Sequence, residues 1–214
     1  QGDGIAETNR GRFYIPNAAP GDRVIARIVE RRSDGFRAEI EEILEDGGRR
    51  TDPPCSHFGT CGGCALQHIA KGPYLNFKKD LVTKALARQG LSEDLVEPCI
   101  AFGPATRRRV NLKAVGTGRG LVVGFNRAGA RGVVDIEVCP VVEPSIAGFI
   151  APLRAFLRGR LKQGERLSVS ITRCDAGLDV LIEVNWTLDS SLRQDLATFA
   201  GENDLARLCV GLEA

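Results

Sequence analysis

Methionine is absent from the 214 residues, tryptophan occurs once, and tyrosine and histidine occur twice each. At a frequency of roughly 2%, about four methionines would be expected. With Gln1 in first place, either a trimmed piece or a sequence that omits modified residues is expected. No apolar run approaches the roughly 18 residues of a membrane span, and no basic-then-apolar leader opens the sequence, so a cytoplasmic protein is expected. An excess of one charge is also lacking: 29 Lys and Arg against 27 Asp and Glu give +2. Net charge therefore makes no case for nucleic acid, and only the placement of charges can make one. Repeats and low-complexity tracts are missing. So is a glycine-rich strand-to-helix loop of the kind that seats a nucleotide cofactor. Gly116-Thr-Gly-Arg-Gly120 lies between two strand-like segments and reads as a hairpin turn.

Cysteine is plentiful by comparison. Seven occur, an odd number, and three crowd together as Cys55-Ser-His-Phe-Gly-Thr-Cys61-Gly-Gly-Cys64. In a reducing compartment such spacing favours metal or redox chemistry over disulfides. A Cys-x-x-Cys turn delivers two thiolates to one soft or borderline metal, and Gly62 and Gly63 let the backbone fold sharply beside sulfur. The fourth ligand must lie elsewhere. Cys139 is the best candidate because Pro140 follows it, as in the Cys-Pro ending of ferredoxin-type motifs. From the residues alone, an iron–sulfur cluster and a zinc knuckle completed by His57 or His68 stand about even. Cys99, Cys174 and Cys209 lie in apolar strand contexts, where buried inert thiols are the default.

The pattern predicts an α+β protein in three parts: a small OB-like β-barrel over 1–50, a cysteine loop and helix over 51–90, and an α+β domain with a mainly antiparallel sheet over 91–214. Short alternating strands are expected at 11–16, 22–30 and 36–44, with Pro20-Gly21 as a turn. A helix is expected over 74–89, with Leu75, Leu81, Val82, Ala85 and Leu86 on one face. Further on, strands are expected at 96–101, 109–115, 121–126 and 133–138, and a helix at 145–160. A hairpin joins 167–174 to 178–184, followed by a helix at 188–200 and a strand at 205–210.

Cys55-Ser-His-Phe-Gly-Thr-Cys61-Gly-Gly-Cys64-Ala-Leu-Gln-His68, with Tyr74 and Lys78 in the following helix, resembles the cluster region of bacterial RNA uracil-5-methyltransferases, especially those acting on 23S rRNA. Upstream, Gly2-Asp-Gly-Ile-Ala-Glu7, Phe13-Tyr-Ile-Pro16 and Pro20-Gly-Asp-Arg-Val24 resemble the family's TRAM domain, an RNA-binding β-barrel. Downstream, Arg107-Arg-Arg109, Gly124-Phe125, Asp135-Ile136 and Cys139-Pro-Val-Val-Glu-Pro144 resemble its central domain. The resemblance implies a [4Fe–4S] cluster on Cys55, Cys61, Cys64 and Cys139. It also implies a Rossmann-like domain that binds S-adenosylmethionine and supplies the catalytic cysteine. Nothing in these residues matches that domain, so no catalytic residue is assigned and the chain as it stands is not expected to methylate.

Residues 104–134 hold Arg107, Arg108, Arg109, Lys113, Arg119, Arg127 and Arg131 and no acid, which is the local field that phosphate binding needs. Lys71, Lys78, Lys79, Lys84 and Arg88 form a second basic stretch, opposed by Asp80. Phe58 and Phe125 are the favoured base-stacking candidates, and His68 is a further candidate contact. The expected partner is RNA, 23S rRNA by the resemblance, bound by a monomer without a membrane. A stand-alone RNA-binding module with structural zinc is the competing reading, and a cysteine-based electron carrier leaves the basic stretches without a purpose.

Overall fold

The computed structural model describes residues 2–211. They fall into two compact units: residues up to 59 together with 64–101, and residues 60–63 together with those from 102 onward. The segment 51–90, expected as a part of its own, is thus shared between the two.

In the N-terminal unit, β1 (Gly4–Thr8), β2 (Gly11–Ile15), β3 (Arg23–Arg32) and β4 (Gly35–Glu45) form one sheet in the order β1-β2-β4-β3. The β1–β2 and β3–β4 pairs are antiparallel, and a short parallel pairing of Phe13 and Tyr14 with Phe36 and Arg37 joins them. β1 was not among the strands expected from alternation, because Gly4-Ile-Ala-Glu-Thr8 carries one large apolar residue. Asp22 closes the unit. Its side chain is 1% exposed and accepts from the Ala19 and Gly47 amides at 2.7 and 3.3 Å and from Arg50 Nη1 at 2.5 Å.

Helix α1 (Lys71–Ala87) forms as expected but buries no residue fully. Leu81 and Val82, expected to face a core, are each 51% exposed. In its first turns Pro73, Tyr74 and Phe77 line a cavity of about 780 Å³ with Ile5, Ile15, Val24, Leu66 and Ile69. The strand expected at 96–101 is also absent. A short 3-10 turn at Glu93–Leu95 ends at Val96, and Pro98 has no amide to give a ladder. Cys99 is therefore exposed instead of buried in a strand.

The C-terminal unit is built on β5 (Arg109–Thr117), β6 (Gly120–Asn126), β7 (Val133–Asp135), β8 (Arg166–Cys174), β9 (Gly177–Glu183) and β10 (Leu205–Gly211), in the order β10-β9-β8-β5-β6-β7. Every pairing is antiparallel except β9–β10. β7 stops short of the strand expected at 133–138, because the Asp135 carboxylate takes the Val123 amide at 3.0 Å and so ends regular pairing. Helix α2 (Pro144–Leu157) is capped by Glu143, with Pro144 in its first turn, and buries Ile146, Phe149, Ile150, Leu153, Phe156 and Leu157 at helical spacing. Helix α3 (Ser190–Glu202), capped by Asp189, adds Leu196 and Phe199, whose ring lies 4.3 Å from that of Phe156. These side chains and the inward residues of β5, β8 and β9 make one core. Among the described residues no helix is long and apolar enough to cross a membrane.

Candidate functional site

The turn Cys61-Gly62-Gly63 is seated on the loop that follows β6. Gly62 donates to Asn126 O at 2.8 Å, Ala128 donates to Thr60 O at 2.8 Å, and Cys61 and Arg127 form an isolated antiparallel bridge. A Cβ on Gly62 would stand 3.0 Å from Asn126 O, so the seat is tight at that position. The Gly63 amide donates to Cys61 Sγ at 3.4 Å. Cys61 and Cys139 are both half-buried and both pack against the core of this unit. The segment carrying Cys139 is held by main-chain bonds from Ala105 N to Pro140 O and from Arg107 N to Val141 O, each 2.9 Å.

Cys55 and Cys64 belong to the N-terminal unit and are half-buried there. The Phe58 amide donates to Cys55 O at 3.1 Å, and the Phe58 ring stacks at a tilt on His68, 5.4 Å away. His68 is 2% exposed, with Nε2 3.3 Å from Ala18 O. Because that carbonyl only accepts, the ring proton is assigned to Nε2, which leaves Nδ1 as an acceptor. Burial is the main cause holding the His68 pKa below its ordinary value, which favours the neutral ring. A ring so enclosed is not a surface RNA contact.

Among the described residues no cysteine is in a disulfide. Among the described residues no group of three or more His, Cys, Asp or Glu side chains forms that could hold a metal ion. The donor chemistry nevertheless suits a soft metal centre. The Gly63 amide offers the N–H···S bond that a metal-bound thiolate accepts, and the Gln67 amide, three residues after Cys64, is sealed from solvent with neither polar atom hydrogen-bonded. A buried unsatisfied amide costs about 1–3 kcal/mol, so the Gln67 donor is open to an acceptor supplied from outside the protein. Gln67 lies within the Cys55–His68 motif, where its residue type alone signals no role.

The basic residues divide into two kinds. Arg108, Arg109, Arg119, Arg127 and Arg131 are exposed: Arg109 opens β5, Arg119 lies at the β5–β6 turn, and Arg127 and Arg131 lie on the β6–β7 loop. Arg108 Nη2 lies 3.4 Å from Asp175 Oδ1, with both side chains solvated. Lys113 is half-buried and donates to Ser168 Oγ, and Arg107 donates through Nη2 to Gly63 O at 3.2 Å. In α1, Lys78 Nζ sits 5.5 Å over the Tyr74 ring and Lys79 is half-buried. Phe125, expected to stack on bases, is 9% exposed and belongs to the core, where its ring walls the Cys61 turn. Burial on the inward side of β6 decides that role. Phe58, half-buried and in contact with His68, keeps part of its surface open.

No protein-family model matches the chain. Sequence comparison finds relatives along its whole length. An RNA methyltransferase of Agrobacterium fabrum is 34% identical over 100% of this chain and 51% of its own length. One of Caulobacter vibrioides is 35% identical over 100% and 52%. Over its whole length the chain is similar to these RNA methyltransferases, and it spans about half the length of the curated relatives it matches. More particularly, the 23S rRNA (uracil(1939)-C(5))-methyltransferase of Shewanella amazonensis is 31% identical over 99% of this chain and 49% of its own length. The fold is also that of the Pyrococcus abyssi tRNA (uracil-54, C5)-methyltransferase solved with S-adenosyl-L-homocysteine. The TM-score is 0.59 at 21% identity, over 91% of this chain and 48% of that one.

Proposed function

We propose that this chain is the RNA-recognition part of an S-adenosylmethionine-dependent rRNA uracil-5-methyltransferase, with a structural [4Fe–4S] cluster on Cys55, Cys61, Cys64 and Cys139. The observation that carries the reading is the seating of the Cys61 turn on the loop that presents Arg127 and Arg131. That contact makes the shape of a basic loop depend on a cysteine turn. The N-terminal sheet is read as a TRAM-type barrel and as a second RNA contact.

When bound, the cluster supplies covalent cross-links among thiolates distant in sequence, which restrict the unfolded chain more than the folded one. The Gly63 amide and Cys61 Sγ keep the turn in its ligating form. Arg109, Arg119, Arg127 and Arg131 offer cations to phosphates, and Phe58 offers an aromatic face to an unpaired base. S-adenosylmethionine and the transfer chemistry belong, in this reading, to protein outside these 214 residues.

Anaerobic purification tests the metal assignment. Brown protein with broad visible absorption and about four irons per chain is expected. Cys61→Ser and Cys139→Ser should lose that iron, whereas Cys99→Ser, on an exposed segment, should retain it. Colourless protein carrying zinc and no iron would favour a stand-alone RNA-binding module instead.

A further inference from the structure

Arg107 touches two cysteine-bearing segments of the C-terminal unit at once. Its guanidinium donates to Gly63 O at 3.2 Å, across 44 residues of sequence. Its own main chain is bonded on both sides to the stretch after Cys139: Arg107 N donates to Val141 O at 2.9 Å, and Arg107 O accepts from Glu143 N at 3.0 Å, in a parallel bridge with Val142. The place where a Cβ on Gly63 would stand is 3.4 Å from Cys61 Sγ and 3.8 Å from Arg107 Nη1, so the cation and the sulfur flank one glycine. Phe125 Cγ, 3.7 Å from the same point, walls that small space.

We infer that Arg107 is a positioning residue that clasps the Cys61 turn to the Cys139 segment, and is not one of the RNA-binding cations of its triplet. The side chain is committed to Gly63 while Arg108 and Arg109 beside it face solvent. Arginine suits the task. A guanidinium stays charged and can give one N–H to a carbonyl while another lies toward a thiolate, which a single ammonium does less well. A positive charge held at the Gly63 carbonyl would favour the more reduced, more negative state of a metal group on this turn. The effect on the metal rests on the cluster reading, but the clasp itself does not.

Two measurements on the purified chain separate these parts. Hydrogen exchange read at peptides covering 60–63 and 139–143 should speed up at least tenfold in Arg107→Ala, with or without iron, and stay at wild-type rates in Arg108→Ala. In the iron-loaded chain, Arg107→Ala should bleach faster in air and shift the reduction potential downward. Arg107→Lys, which restores the charge but not the two-way grip, should recover the potential more than the bleaching rate. Unchanged exchange in Arg107→Ala, together with a loss of RNA affinity matching that of Arg109→Ala, would overturn the inference. If Arg107→Ala fails to fold, Arg107→Lys carries the same test, and wild-type exchange at 60–63 in that variant would count against the clasp. Wild-type protein without iron but with clasp-dependent exchange would refute the cluster reading and leave the clasp standing.

Discussion

Asp22 shows how much one buried carboxylate can decide. Burial raises its pKa and is the largest single influence on it. The amides of Ala19 and Gly47 and the guanidinium of Arg50 together outweigh burial and hold the pKa below its ordinary value of 3.8. A group lowered in this way stabilises the fold above its unfolded pKa, and that contribution is lost as pH falls through the folded value. Asp22→Asn keeps an acceptor but loses the charge opposite Arg50, so about 2 kcal/mol of stability should disappear near neutral pH. The acid limb of the stability curve should flatten, because the variant has no carboxylate to protonate there. Thermal melts from about pH 3 to pH 7 check both effects. A variant whose melting point falls in parallel with wild type down to the acid end would show that Asp22 is not the titrating group.

His68 and Phe125 carry the opposite lesson at this scale. Both residues have the chemistry to meet RNA, and both are spent inside the protein: His68 on Ala18 and Phe58, Phe125 on the core behind the Cys61 turn. Side-chain type alone cannot separate a stacking platform from a core ring, because the same apolar face serves both.

Among the elements, β6 positions the site. Gly124 lies where a Cβ would stand 2.0 Å from Val134 O and 2.7 Å from Ile136 Cγ1, so β7 can approach only a glycine there. Gly124→Ala should force β6 and β7 apart, cost about 1–3 kcal/mol, and disturb the Asn126 and Arg127 main chain on which the Cys61 turn sits. The expected outcome is a lower unfolding midpoint and, on the proposed cluster reading, reduced iron incorporation. Full iron content at the lowered midpoint would mean that β6 does not support the turn. The elements that alternation and helical spacing marked most strongly, β5, β6, β8, β9 and α2, form close to where they were expected, because each has one face against a common core. Helix α1 leaves Leu81 and Val82 of its apolar stripe exposed, and 96–101 is apolar at most positions without being a strand. In both places hydrophobicity was present but the partner, or the backbone donor, was not.

For the whole molecule, the consequence is electrostatic. The formal charge of +2 hides a run of seven cations without an acid over residues 104–134. Of these, Arg109, Arg119, Arg127 and Arg131 are exposed with no side-chain ion pair among the described contacts. If RNA binds there, log affinity should fall linearly with log salt, and replacing Arg109 or Arg131 with alanine should reduce the slope by roughly one each. Titration of a 23S rRNA fragment at several salt concentrations measures this. An unchanged slope in both variants would move the RNA surface to the N-terminal sheet.

The sequence by itself determined most of the elements, the three closely spaced cysteines, the basic run and the likeness to RNA methyltransferases, since each is written in local order or in similarity along the chain. Tertiary structure decided which member of a motif does what. Of three consecutive arginines, one reaches back to Gly63 and two face water, and of two candidate aromatics, one is core. It also decided that Cys61 sits with Cys139 in one unit while its sequence neighbours Cys55 and Cys64 belong to the other. The reason is physical: periodicity reports which face of an element is buried, but the partner of a particular carbonyl or sulfur is set by pairings that close over tens of residues.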